Sequence, residues 1–168
     1  MRGRPAIAVA LTVSAALALA ACGDEDDEAG TATTETGQQA AAPPDTKPKV
    51  EVPQDAPPAG LQIEDEIEGT GDTATAGDSV TVHYVGVSYS TGKQFDASWD
   101  SPGQQPYTFA LGAGDVIPGW DQGVAGMKVG GRRRLTIPPE LGYGEQGQPP
   151  VIGPNETLVF VVDLLEVD

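Results

Sequence analysis

Cysteine and histidine are almost missing from this chain, with one of each, Cys22 and His83, in 168 residues. A single thiol excludes an internal disulfide and any zinc site built from several thiolates, and one imidazole does not complete a metal cluster with it. Cations are scarce as well: nine Lys and Arg stand against 25 Asp and Glu, for a net charge of -16. That balance disfavours nucleic acid, whose phosphates it repels, and disfavours electrostatic attraction to anionic lipid. Its plain physical role is solubility. Large rings are few and unevenly spread. All nine Phe, Tyr and Trp fall between Tyr84 and Phe160, so a packed core is expected only in the C-terminal part. The apolar stretch at residues 6–21 has 16 residues, short of the ~20 that span a bilayer as a helix.

What is present begins with an address. Arg2 and Arg4 give a positive start, the apolar stretch follows, and it ends in Leu19-Ala20-Ala21-Cys22. Charge, apolar run and small residues before cysteine read as a secretory signal, and the ending resembles the lipobox of bacterial lipoproteins, in which that cysteine is lipid-modified and becomes the first residue. The expectation is a signal peptide over 1–21, a lipid anchor on Cys22, and a globular part held outside the cytoplasmic membrane in a bacterial envelope. Residues 22–60 follow as a tether: an acidic run, Asp24-Glu25-Asp26-Asp27-Glu28, then Thr, Gln, Ala and repeated Pro with no helical or strand period. Such composition favours disorder, and a flexible segment of this length reaches ~35 Å.

From 61 to 168 the pattern changes to that of a single domain. Residues 61–67 mostly alternate, 79–87 are dense in β-branched side chains, 93–96 and 107–111 read as extended, 132–137 alternate, and 157–167 form an apolar last strand. Residues 97–106 and 138–156, rich in Pro and Gly, read as loops. One helix is expected over 118–125, with Pro118 in its first turn and Trp120 and Val124 on one face. The sum is an α+β domain, an antiparallel sheet folded over one short helix.

A set of short motifs then occurs in order: Val82-His83-Tyr84-Val85-Gly86, Lys93-Gln94-Phe95-Asp96-Ala97-Ser98, Phe109-Ala110-Leu111-Gly112, Val116-Ile117-Pro118-Gly119-Trp120, Gly123-Val124-Ala125-Gly126-Met127, Leu135-Thr136-Ile137-Pro138, Leu141-Gly142-Tyr143-Gly144 and Leu158-Val159-Phe160. Together, across essentially all of 61–168, they resemble the FKBP family of peptidyl-prolyl cis–trans isomerases. The resemblance implies an antiparallel half-barrel wrapped around a short helix, acting on Pro-containing polypeptides and open to macrolide ligands. It implies a pocket walled by Tyr84, Phe95, Tyr107 and Phe109, with Val116 and Ile117 on one side, Trp120 at the floor, and Tyr143 and Phe160 completing it. Asp96 stands beside Tyr84 as the polar member. By the same resemblance, the backbone N–H of Ile117 and the hydroxyl of Tyr143 hold substrate carbonyls, and Asp96 orients Tyr84. Rotation of an X–Pro bond breaks no covalent bond, so no nucleophile, metal or cofactor is required. A non-catalytic tethered module that holds Pro-containing segments is the competing reading.

Some positions depart from the family pattern. Tyr107 stands where Phe is frequent, Gln148 where His is common, Gly142 where Ala often precedes the tyrosine, and the 97–106 loop is longer than in the smallest members. His83 alternates with Tyr84 and is expected to face away from the pocket in a structural role. Arg132-Arg133-Arg134 reads as a solvated face with nearby carboxylates. Nothing in the sequence argues against a monomer.

Overall fold

The computed structural model describes residues 44–168; the signal segment, Cys22 and the first part of the tether lie outside the described residues. The six strands are β1 (Gln62–Ile67), β2 (Ser79–Ser88), β3 (Gln94–Ala97), β4 (Tyr107–Ala110), β5 (Arg132–Ile137) and β6 (Leu158–Val167). All pair antiparallel in the order β1-β5-β6-β2-β3, with β4 also on β2, and the sheet does not close. Among the described residues there is one α-helix, α1, at Pro118–Val124. This is the expected α+β architecture, with strand ends within a residue or so of the expected ones. The loop at 138–156 carries two 3-10 turns, Pro139–Leu141 and Gly144–Gln146, and sends Ile152 into the core.

The helix packs directly against the sheet at two residues that lack side chains, Gly119 and Gly123. A Cβ on Gly119 would sit 2.4 Å from Ile137, and one on Gly123 would sit 2.6 Å from Leu135. Trp120 and Val124, on the same helix face, therefore sink to 4% and 0% exposure against the inner sheet residues Leu135, Ile137, Phe160 and Val162. Arg133 fixes the other end of the helix. Its Nη1 donates to the Gly123 and Ala125 carbonyls at 2.9 and 3.1 Å, while Nε and Nη2 donate to both oxygens of Asp65 at 2.6 and 3.0 Å. A guanidinium on carbonyls that a helix end leaves unpaired satisfies them and complements the helix dipole.

The arginine triplet corrects the expectation of a solvated face. Carboxylates are indeed the partners: Asp163 for Arg132, Asp65 for Arg133 and Glu66 for Arg134. The arginine side chains are only 12, 10 and 21% exposed, however, and Asp163 is fully buried.

Arg133 is buried by the end of α1 and by Asp65, whereas Arg132 and Arg134 are covered by a segment the sequence assigns to the tether. Residues 46–52 contain no helix or strand, yet they lie across the outer face of the sheet. Pro48, Val50 and Val52 turn inward, the valines onto Val85, Val87, Ala97 and Trp99, while Lys49 and Glu51 pair outside. Three polar contacts hold the ends: Arg132 to the Thr46 carbonyl, Arg134 to the Glu51 carbonyl, and Lys47 to Asp100, at 2.8, 2.8 and 2.7 Å. Because Arg132 pairs in register with Asp163 and His83, and Arg134 with Val161 and Val85, this strap runs beside β2 in the same direction.

Candidate functional site

The opposite, concave face holds a cavity of about 540 Å³. Its floor is Trp120, nine-tenths buried, with Phe160 and Tyr84 standing nearly perpendicular to it at ring-centroid distances of 5.2 and 5.1 Å. Phe95 meets Phe160 edge to face at 5.5 Å. Such edge-on contacts place ring hydrogens against ring faces and hold the walls apart. Gly86 keeps that corner open, since a Cβ there would lie 2.7 Å from both Phe95 and Phe160.

The local backbone explains why adjacent residues Phe95 and Asp96 both reach the cavity. β2 and β3 pair Gly86 with Asp96 and Val87 with Gln94, which leaves Phe95 as the extra residue of a bulge. Bulges re-aim side chains in this way. Asp96 then accepts the Tyr84 hydroxyl at 2.7 Å. Burial, followed by that hydrogen bond and the Asp96 charge, pushes the Tyr84 phenol well above its ordinary range. Burial, with the Asp96 charge second, also raises Tyr143. Both phenols are therefore protonated at neutral pH and available as donors.

Val116 and Ile117 reach the rim on a loop pinned from below. Asp121 of α1 accepts the backbone N–H groups of Gly112 and Gly114 at 2.9 and 3.1 Å, and the Ile117 carbonyl accepts the Trp120 N–H at 2.8 Å. Among the described residues the Ile117 N–H and the Tyr143 hydroxyl have no acceptor in the chain, so both can take a carbonyl from a guest.

Of the ten expected site residues, Tyr84, Phe95, Asp96, Tyr107, Val116, Ile117, Trp120, Tyr143 and Phe160 line the cavity. Phe109 does not. It backs the wall, stacked on Tyr107 at 5.8 Å and 5.6 Å from Trp120. Asp115, Gln148 and Val151 complete the lining. Of these, Asp115 and Val151 were not expected; the sequence offers only their proximity to Ile117 and their place in the long Pro/Gly loop. His83 faces outward, stacked on Trp99 at 4.1 Å and hydrogen-bonded through Nδ1 to Ser98. Burial lowers its pKa, with Asp163 pulling the other way.

The cavity can seat a proline-sized ring on Trp120, exclude water around it, and offer two donors to flanking carbonyls without a nucleophile. The comparisons agree with that chemistry. Residues 71–165 match the model of the FKBP-type peptidyl-prolyl cis–trans isomerase family. The chain is 57% identical over 122 residues to the FK506-binding protein of Streptomyces anulatus, covering 72% of this chain and 97% of that protein. It is 53% identical over 108 residues to the FK506-binding protein of Neisseria meningitidis serogroup B, covering 64% of this chain and 96% of the relative. It is 49% identical over 120 residues to the probable FK506-binding protein of Corynebacterium glutamicum, covering 71% and 97%. The chain belongs to the FKBP-type peptidyl-prolyl cis–trans isomerases, and its globular part is an enzyme domain of that family. A match covering 72% of the chain begins no later than about residue 48, so the likeness to the Streptomyces protein takes in most of the strap.

Proposed function

We propose that this isomerase acts on exported polypeptides outside the cytoplasmic membrane, held there by a lipid on Cys22 after removal of residues 1–21. The sequence of charge, apolar stretch and Leu19-Ala20-Ala21-Cys22 supports the anchor, and the diacylglycerol of a lipoprotein supplies the more than one acyl chain that stable attachment takes. Metabolic labelling with a radioactive fatty acid tests it: the wild-type chain takes up label and partitions with membranes, and Cys22→Ala does neither.

Catalysis follows from differential binding. Amide resonance sets a barrier of about 18–20 kcal/mol, and the planar amide is more polar than the twisted one. A dry aromatic pocket therefore disfavours the planar ground state relative to the twisted transition state. In this reading Trp120 carries the proline ring, with Phe95, Tyr107, Val116 and Phe160 around it. The Ile117 N–H and Tyr143 hydroxyl hold the flanking carbonyls, and Asp96 orients Tyr84. The same cavity would accept FK506, the ligand for which the relatives are named. The observation that carries the reading is the convergence of these groups on one cavity whose floor is Trp120. A refolding-coupled isomerisation assay tests it. Tyr143→Phe, which removes one hydrogen bond, is expected to lower kcat/KM about 2–10-fold, and Asp96→Val to lower it further, both with unchanged thermal midpoint. A folded protein that accelerates no X–Pro substrate would instead identify a binding module.

A further inference from the structure

The charged residues on the cavity lining are Asp96 and Asp115, and no Lys, Arg or His shares it. The cations of the described residues are committed elsewhere. Arg132, Arg133 and Arg134 pair with Asp163, Asp65 and Glu66, and Lys47 and Lys49 pair with Asp100 and Glu51. Lys93 and Lys128 do not reach the lining. The hydrogen bond that Asp96 accepts comes from a neutral phenol, so its charge is not cancelled, and it is felt at both Tyr84 and Tyr143. The whole chain adds a net -16. The rim also presents an exposed ring, Tyr107 at 42%, and an exposed aliphatic side chain, Val151 at 57%. A long cationic side chain can lay its methylene stem on such surfaces and keep its charge in water, with a further attraction to the ring face.

We propose that the pocket prefers X–Pro sites flanked by Lys or Arg, with Asp115 and Asp96 as the groups that select the cation. This deepens the isomerase reading and rests on it. Both carboxylates are exposed, so the attraction is moderated by water and salt. Two carboxylates within about 6–8 Å of a cation at a wet rim correspond to a preference of about fivefold to tenfold at low ionic strength. Against a substrate with a carboxylate in the same place the ratio is larger. The preference should appear partly in the encounter rate, since a field of one sign over an open cleft concentrates oppositely charged ligands.

The test is exchange spectroscopy by NMR on the full chain with acetylated, amidated peptides that differ in one residue beside proline: Lys, Nε-acetyl-lysine or Glu. Acetyl-lysine keeps the stem and removes the charge. The expected order of kcat/KM at low salt is Lys, then acetyl-lysine, then Glu, with the Lys advantage falling towards unity near 0.5 M salt, where screening acts within a few ångströms. Asp115→Asn should reduce the ratio of Lys to acetyl-lysine by half or more. Equal values for Lys and acetyl-lysine at low salt would overturn the preference while leaving the isomerase intact. A salt-sensitive ratio that Asp115→Asn leaves unchanged would overturn the assignment to the rim and attribute the effect to net charge. Failure to accelerate any of the three peptides would overturn the isomerase reading itself.

Discussion

Arg132→Leu should be the most damaging conservative-volume substitution outside the pocket. Arg132 donates from Nε and Nη2 to the two oxygens of Asp163, at 2.5 and 2.8 Å, and from Nη2 to the Thr46 carbonyl. Asp163 has no exposure at all. Burial, with the Glu66 charge adding to it, pushes its pKa up, and the guanidinium and His83 oppose that; the same Arg132–Asp163 contact raises Arg132. The bidentate geometry keeps both groups charged at neutral pH. Removing the cation strands a buried carboxylate on the strand face shared with Val159 and Val161, with only the His83 ring opposite it on β2, and breaking a buried pair from one side costs about 3–5 kcal/mol. For a domain of this size that is a fall of roughly 10–20 °C in Tm. Adding Asp163→Val should restore most of the loss, because the double variant extends the valine face and leaves no orphan charge. The single variant also carries a pH signature. Its Asp163 pKa in the folded state lies above the unfolded value of about 3.9, so the fold binds a proton that the unfolded chain releases. Stability is then greatest below that unfolded value and is lost as pH rises through the folded pKa. Urea titrations followed by tryptophan fluorescence, from pH 4 to 8, measure all of this. A loss under about 1 kcal/mol for Arg132→Leu, or no recovery in the double variant, would refute the reasoning.

Other expectations concern the faces and the helix. His83 is the one histidine, so its NMR titration is unambiguous; its midpoint should fall below the ordinary value of about 6.5, because burial favours the neutral ring. The depressed value means that its contribution to stability is complete above pH ~6.5 and is lost as pH falls through the folded pKa. Starting the chain at residue 61 rather than 44 should lower the unfolding free energy by about 2–4 kcal/mol, as Val85, Val87 and Trp99 lose their cover; denaturant midpoints of the two proteins decide it. Gly123→Ala forces a methyl against Leu135 and should cost about 1–3 kcal/mol. It should also lower kcat/KM, since the helix cannot shift without moving Trp120.

Much of this was legible in the sequence because it is local. β-branched density located β2, Pro118 and the Trp120–Val124 spacing located α1, and the resemblance carried by the ordered motifs brought together eight of the cavity residues, with Tyr107 added by the same resemblance. The family resemblance put Phe109 in the pocket wall, but the ring lies behind the wall, against Tyr107 and Trp120, and does not reach the cavity. The pairing of Arg133 with the end of α1 depends on a register that strand periodicity does not reveal. The β1 pattern misleads for a similar reason. Ile63 and Ile67 alternate with polar residues as a half-buried strand would, yet β1 is an edge and all six residues are exposed. The strap was hidden by its composition: Pro48-Lys49-Val50-Glu51-Val52 has strand-like alternation, but Pro at both ends and the polar stretch before it mask a run of only five residues.

The strap also determines how the domain bears a mechanical load. Tension on the chain ahead of residue 44 enters on the outer face, at Thr46 and Lys47, rather than at the first strand. It must peel the Arg132 and Lys47 contacts, lift Pro48 and Val50, break the Arg134 bond to the Glu51 carbonyl and lift Val52 before β1 feels any force. The cavity is carved into the other side of the sheet. A pull on the chain ahead of residue 44 would therefore be met by a few residues of slack while the catalytic face keeps its shape.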